Sequence, residues 1–199
     1  QSDYKKLHIT GIIDNYESGL EFIKNYDDMK NLIVFLGSSF GNFEPESGIN
    51  FLRRINSLMK KDDLFLIGLD LVKNKDMLRS AYDDSQGITS QFNLNILSRI
   101  NSELRGNFDK HKFTHYVVYD ESKQKIEMYL RSLIKQTVEI PNADLTLEID
   151  ENELIHTENS YKYTIQQIEQ MFTTSGFLIR DIWYDENGYF CSVLLSKNN

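Results

Sequence analysis

The sequence predicts an α/β protein whose parallel sheet is interrupted by an antiparallel insert and finished by a β-hairpin. Three observations predict it. Two apolar runs, Leu32 to Leu36 and Asp63 to Val72, flank a stretch with helical spacing, as buried parallel strands flank a crossover helix. Alternating segments separated by turns then fill the middle of the chain. Near the end, Asn187-Gly188 sits between two apolar strand-like runs, a strong hairpin signal.

In chain order, His8 to Ile13 reads as a short strand ending at Asp14-Asn15-Tyr16, and a helix follows with Leu20, Phe22 and Ile23 as its apolar side. After the run Leu32 to Leu36 comes a small-residue loop, Gly37-Ser38-Ser39-Phe40-Gly41-Asn42, and a helix beginning near Pro45. Ile49, Leu52, Ile55, Leu58 and Met59 recur on that helix at the right spacing. The order to Val72 is therefore βαβαβ, the mark of a parallel α/β sheet. A helical stretch broken around Ser85-Gln86-Gly87 follows. Next come the strand-like segments HYVVYD, KIEMYLRSLIKQTVEI and DLTLEID, with turns at Glu121-Ser122 and Pro141-Asn142. About Lys73 to Tyr163 reads as an inserted domain, with 1–72 before it and 164–199 after it. Ile165, Ile168, Met171 and Phe172 then form a helix stripe that Gly176 ends.

Composition narrows the function. The 199 residues carry a formal net charge of -8, and the basic residues are scattered. Such a chain has no electrostatic footprint for nucleic acid and does not suit an anionic membrane surface. No apolar run is long enough to span a bilayer, and a cytoplasmic location is expected. Cys191 is the only cysteine, which excludes an internal disulfide or a cysteine-based metal site; a buried small hydrophobe is the simpler reading. His8, His111, His115 and His156 show no metal-ligand spacing, so no metal is expected.

Three stretches could carry chemistry. Ligands in open α/β sheets sit beyond the carboxyl ends of the strands, so the loop Gly37 to Asn42 is the first. Its small residues permit a close backbone approach, and Asn42 offers a donor and an acceptor to an amino-acid head group or, equally, a cap for the following helix. The second is Tyr82-Asp83-Asp84, where Tyr82 has a hydroxyl for a carboxylate, or simply packs, and Asp84 fits a helix cap. In the third, ELIHTENSYKY, Glu158 and Ser160 alternate and face the same way in an extended chain. A carboxylate beside a hydroxyl suits an imidazole, an amide or an ammonium; a solvated strand-to-helix junction is the plainer alternative.

Taken in order, FLGSSFGNF, LIGLDLVKNKDMLRSAYDDSQGITSQFNLNIL, FDKHKFTH, IEMYLRS and HTENSYKY resemble the histidine-specific, S-adenosylmethionine-dependent methyltransferases, which make trimethylhistidine (hercynine) at the start of ergothioneine biosynthesis. The likeness runs from about His8 to the last strand. It implies the C-terminal part of a class I, Rossmann-like methyltransferase sheet with an inserted α+β substrate-binding domain. It implies S-adenosylmethionine as methyl donor, a small amino acid as substrate, and no metal. Asn42 and Tyr82 become the candidate catalytic residues, Asn42 holding the head group beside the donor and Tyr82 binding the substrate carboxylate. Glu158 and Ser160 would read the imidazole, Met128 would shape the side-chain pocket, and Gly37 would pass close to donor and substrate. Ser38 would join Gly37 at the donor, and Asn15 and Tyr16 would meet its adenine. A tryptophan-type substrate, known in the wider family, would leave the Glu158 carboxylate poorly paired.

The sequence also departs from that family. A glycine-rich donor loop and a ribose-binding acid have no counterpart, nor do two substrate-facing tyrosines, and Asn15 stands where an acid is usual. The expectation is a fragment of a longer enzyme lacking its N-terminal donor-binding segment. The alternatives are completion in trans by another chain, or a non-catalytic amino-acid-binding module. Leu32 to Leu36 and Leu64 to Leu69 are then expected on an uncovered sheet edge.

Overall fold

The computed structural model describes residues 7–22 and 29–198. Its larger sheet has the order β1-β2-β9-β8, built from β1 (Leu32–Phe35), β2 (Leu64–Asp70), β8 (Phe177–Tyr184) and β9 (Phe190–Lys197). β1 and β2 are parallel and joined through α2 (Pro45–Leu58), whereas β9 runs antiparallel to both of its neighbours. The hairpin turn is a five-residue loop in which Asp185 accepts from the N–H groups of Asn187, Tyr189 and Phe190.

Three expectations need correction. His8 to Ile13 forms no strand: the segment is exposed and has no ladder partner among the described residues, and a strand needs a neighbour's backbone. Leu32 to Leu36 is not buried: among the described residues β1 pairs on one side only, and Leu32, Val34 and Leu36 are about half exposed. Leu64 to Leu69, by contrast, lies in a strand paired on both sides, so it is not an edge. Of the first predicted helix, α1 (Tyr16–Glu21) is present, and Ile23 lies outside the described residues.

The core follows from strand and helix periods. Phe65, Ile67 and Leu69 alternate on one face of β2, and Cys191, Val193 and Leu195 do the same on β9; all six are fully buried. Leu52, Ile55 and Met59 from α2 pack on that layer. So do Ile168 and Phe172 from α5 (Ile165–Thr174). A capping box between Thr164 and Gln167 starts α5, and Gly176, at φ +83°, ends it. Burial pushes the Cys191 thiol up to about 11, which keeps it inert.

Between β2 and α5 the chain builds a second unit. A three-stranded antiparallel sheet has the order β3-β4-β7, from β3 (Phe113–Asp120), β4 (Lys125–Ser132) and β7 (Leu154–Tyr161). β5 (Gln136–Ile140) and β6 (Leu145–Ile149) form a separate hairpin. α3 (Lys75–Tyr82) lies on β3 and β4 through Leu78, which packs with Val117, Ile126 and Met128. α4 (Ile88–Leu104) packs Leu97 against Phe108, Phe113 and Leu130. After β7 the chain returns to the carboxyl end of β2: Tyr163 N–H donates to the Asp70 carbonyl, and Val72 N–H donates to the Tyr163 carbonyl. The two units meet at that return.

Asp84 starts α4, as its position suggests. Its carboxylate accepts from the N–H groups of Ile88 at 3.0 Å and Thr89 at 2.8 Å, and these bonds hold its pKa down to about 2. A folded-state pKa below the unfolded value near 3.9 gives stability that is present above that value and lost as pH falls toward 2. Asp84→Ala is therefore expected to lower Tm at neutral pH. Thermal melts of both proteins should converge between about pH 4 and pH 2; a gap independent of pH would refute the linkage.

Candidate functional site

The site is assembled where the two sheets meet. After β1, Gly37 and Ser38 both take positive φ, +80° and +59°, and the chain then tightens into a 3-10 turn over Ser39–Asn42. A Cβ on Gly37 would meet only Ser39 Oγ, at 4.0 Å, so this backbone is open to a close approach. Gly41 is different: its absent Cβ would lie 2.8 Å from the Tyr161 carbonyl oxygen. Only glycine lets the turn press against β7. Glu44, at the head of α2, reinforces this contact by accepting from Asn159 Nδ2 at 2.6 Å and Tyr161 OH at 2.7 Å.

At the centre lies a group that the sequence reading did not single out. Lys162 is fully buried and donates to Tyr82 Oη at 2.8 Å and Ser160 Oγ at 2.7 Å. Its ammonium is also 3.0 Å from Asp70 Oδ2, and Lys73 lies 2.5 Å from Asp70 Oδ1. Tyr82 Oη and Ser160 Oγ are themselves 2.7 Å apart. The Asp70 backbone N–H donates to Ser38 Oγ at 3.1 Å, so one chain of bonds links the loop after β1 to the hydroxyl pair. The available signal was the spacing of Glu158, Ser160 and Lys162, every second residue on one face.

Glu158 and Met128 stand opposite each other across the β4–β7 ladder, and Ser160 stands opposite Ile126. A bulge follows Met128, and Thr157 Oγ1 donates to the Met128 carbonyl there. Met128 is buried against Leu78, with Tyr82 packed on the same cluster. The Glu158 side chain forms no hydrogen bond or ion pair among the described residues. Burial raises its pKa, and Lys162 opposes that shift through space. The position of Tyr82 is set twice. Leu78 anchors the same face of α3 one turn earlier, and the Tyr82 carbonyl accepts from His115 Nε2 at 2.8 Å. Asn93 Nδ2 donates to His115 Nδ1 at 2.9 Å, so the proton of that ring sits on Nε2.

Tyr82, Met128, Glu158 and Ser160 are therefore brought together, with Gly37 and Ser38 joined to them through Asp70. Asn42 closes the 3-10 turn and is exposed, without a side-chain bond among the described residues. It does not cap α2; Glu44 occupies that position. Asn15 instead caps α1, its Oδ1 accepting from Ser18 N–H. Tyr16 packs edge-on against Phe35 of β1 and Phe51 of α2. A cavity of about 350 Å³ between α2 and α5 has Glu44, Tyr161 and Lys162 in its lining, but neither Tyr82 nor Glu158 lines it. Among the described residues, no group of three or more His, Cys, Asp or Glu could hold a metal ion, and no helix is long and apolar enough to cross a membrane.

An α/β sheet with an antiparallel closing hairpin, and a polar cluster beyond the ends of its parallel strands, is consistent with a Rossmann-like fold of the class I methyltransferase type. The chain belongs to the family described as histidine-specific methyltransferase, SAM-dependent, whose model matches residues 1–197. It is similar to a histidine N-alpha-methyltransferase of Mycobacterium tuberculosis, at 36% identity over 197 residues, covering 99% of this chain and 61% of that protein. It is also similar to an L-tryptophan methyltransferase of Psilocybe serbica, at 26% identity over 202 residues, covering 98% of this chain and 56% of that protein. A solved S-adenosylmethionine-dependent methyltransferase of Clostridium acetobutylicum aligns at TM-score 0.44 and 11% identity, covering 89% of this chain and 63% of the other. The chain thus spans about three-fifths of the length of the histidine N-alpha-methyltransferases it matches.

Glu158 also gives a stability signature. A carboxyl raised above its unfolded pKa contributes stability that is full below that value, near 4.3, and lost as pH rises through the folded pKa. Glu158→Gln is expected to match the wild type in Tm at low pH and to exceed it at pH 7. A variant less stable at pH 7 would show that the carboxylate is held by a partner.

Proposed function

We propose that the chain carries the substrate-binding part of an S-adenosylmethionine-dependent N-methyltransferase that acts on the α-amino group of L-histidine, through to trimethylhistidine. The observation that carries this reading is Glu158: half-buried, raised in pKa, unpartnered among the described residues, and beside the Tyr82–Ser160 pair. A basic ring that donates to a carboxylate relieves its desolvation, whereas an indole offers no cation to it. Residues 73–163 are then the substrate domain, between a methyltransferase part at 1–72 and its completion at 164–199.

Each residue has a task in this reading. Tyr82 donates to the substrate carboxylate, and the Lys162 ammonium 2.8 Å from its oxygen makes the phenol a better donor to an anion. Asn42 holds the head group from the mouth of the site, and Met128 is the apolar floor. Gly37 and Ser38 flank the donor, and the open space at Gly37 fits such an approach. Tyr16, packed on Phe35 of β1, and its neighbour Asn15 meet the adenine in this reading; Asn15 Oδ1 already accepts from Ser18 N–H, so the adenine would meet its second lone pair or its amide hydrogens. When bound, the donor supplies an electrophilic sulfonium methyl. The protein's part is to hold the neutral amine in line with it, exclude water and let the amine's proton escape. The half-exposed Leu32, Val34 and Leu36 on the free edge of β1 support a further N-terminal segment, in cis or in trans, that covers this edge and completes the donor site.

Calorimetric titration with L-histidine, L-tryptophan and S-adenosylhomocysteine tests the proposal. L-Histidine should bind in preference to L-tryptophan. Glu158→Ala should weaken L-histidine by about 10- to 100-fold, as expected for a charge-assisted bond, and leave S-adenosylhomocysteine unchanged. Equal losses for both ligands would refute the assignment of Glu158 to the substrate ring.

A further inference from the structure

The face that β7 presents to α3 and α4 changes parity along the strand. Ile155 stands opposite Leu130 and packs in the same apolar cluster. His156 stands opposite Tyr129, on the exposed side, with the two rings 5.2 Å apart. Side chains alternate along a strand, so an unbroken ladder would continue the inner face through Thr157, Asn159 and Tyr161. The observed register is the reverse. Glu158 stands opposite the buried Met128, and Ser160 opposite the buried Ile126. Thr157 has no residue opposite it and is the extra residue of the bulge. An extra residue acts as a one-residue slip, which moves every later side chain to the other face. Glu158, Ser160 and Lys162 are thereby turned inward, and Asn159 and Tyr161 outward to Glu44.

We propose that Thr157 is a positioning residue for the substrate ring: its hydroxyl, bonded to the Met128 carbonyl, locks the bulge that aims Glu158 and Ser160 into the site. The inference rests on the reading of Glu158 and Ser160 given above, and it deepens that reading by naming what directs them. The bond spans the break at 2.9 Å, and its acceptor belongs to the residue opposite Glu158. The Glu158 side chain has no partner among the described residues, so the β7 backbone sets its aim. Threonine suits the task, because the hydroxyl supplies the donor and the β-branch restricts its rotation. Valine keeps the branch and loses the donor, and serine keeps the donor.

The test is a double-mutant cycle read by calorimetric titration of L-histidine into the full chain. Thr157→Val should weaken L-histidine by about fivefold to tenfold, the cost of one misaligned polar contact. Thr157→Ser should restore the affinity to within about twofold of the wild type. In the Glu158→Ala background, Thr157→Val should change the affinity by less than about twofold, because a residue that acts through Glu158 has nothing left to aim. A purely structural threonine would cost the same in both backgrounds, and that result overturns the proposal. So does an unchanged affinity in Thr157→Val when Glu158→Ala is weakened, which leaves the substrate reading standing. A structure of the L-histidine complex in which β7 passes Thr157 without a bulge overturns it whether or not the variants fold. Failure of L-histidine to bind the wild type, or undiminished binding in Glu158→Ala, overturns it together with the substrate reading.

Discussion

A buried ammonium at the seam of two sheets is the constraint around which this molecule is arranged. The Lys162 side chain has no exposure, and an unpaired charge there would be prohibitive. Its neighbours must therefore supply oxygens from three directions: Asp70 from the end of β2, Tyr82 from the end of α3, and Ser160 from β7. Each of those elements is held in place by packing elsewhere. Satisfying one cation thus fixes where the inserted unit returns to the larger sheet, and it draws the hydroxyl pair next to the loop after β1 through the bond from Asp70 N–H to Ser38 Oγ.

The opposite face of β7 serves a mechanical purpose. Asn159 and Tyr161, the residues flanking Ser160, both donate to Glu44 at the head of α2, and Lys125 lies over the Tyr161 ring while pairing with Glu127. One face of the strand is thereby tied to the head of α2 beside the larger sheet, leaving the other to present Glu158 and Ser160. The result is a stiff polar wall in which Glu158 alone lacks a partner among the described residues. A carboxylate kept half-buried without one weakens the fold, a familiar signature of a site shaped for a ligand.

Much of this was legible in the residues. The helix stripe of Leu52, Ile55 and Met59, the hairpin around Asn187-Gly188, the cap at Asp84 and the helix stop at Gly176 all rest on local periodicity or local backbone geometry, which a sequence displays directly. The alternation of Glu158 and Ser160 placed them on one face for the same reason. His8 to Ile13 and the exposure of β1 were not legible, because strand pairing and burial depend on what lies alongside. His115 was dismissed as a metal ligand, and its actual work of holding the Tyr82 carbonyl needs Asn93 behind it, from a different helix.

By itself, then, the sequence determined the order of the elements after Tyr16, the end of α5 at Gly176 and the family, since these depend on neighbours along the chain. The tertiary structure alone decided that Lys162 and Asp70 pair where the inserted unit returns to the larger sheet, that Asn42 is exposed at the end of the 3-10 turn without capping a helix, and that Gly41 is required by the Tyr161 carbonyl. These outcomes turn on contacts between residues far apart in the chain, such as Asp70 with Lys162 and Gly41 with Tyr161, where direction and distance are set by the packing of whole sheets and helices. A lysine in a strand-to-helix junction looks solvated until the fold removes the water from around it.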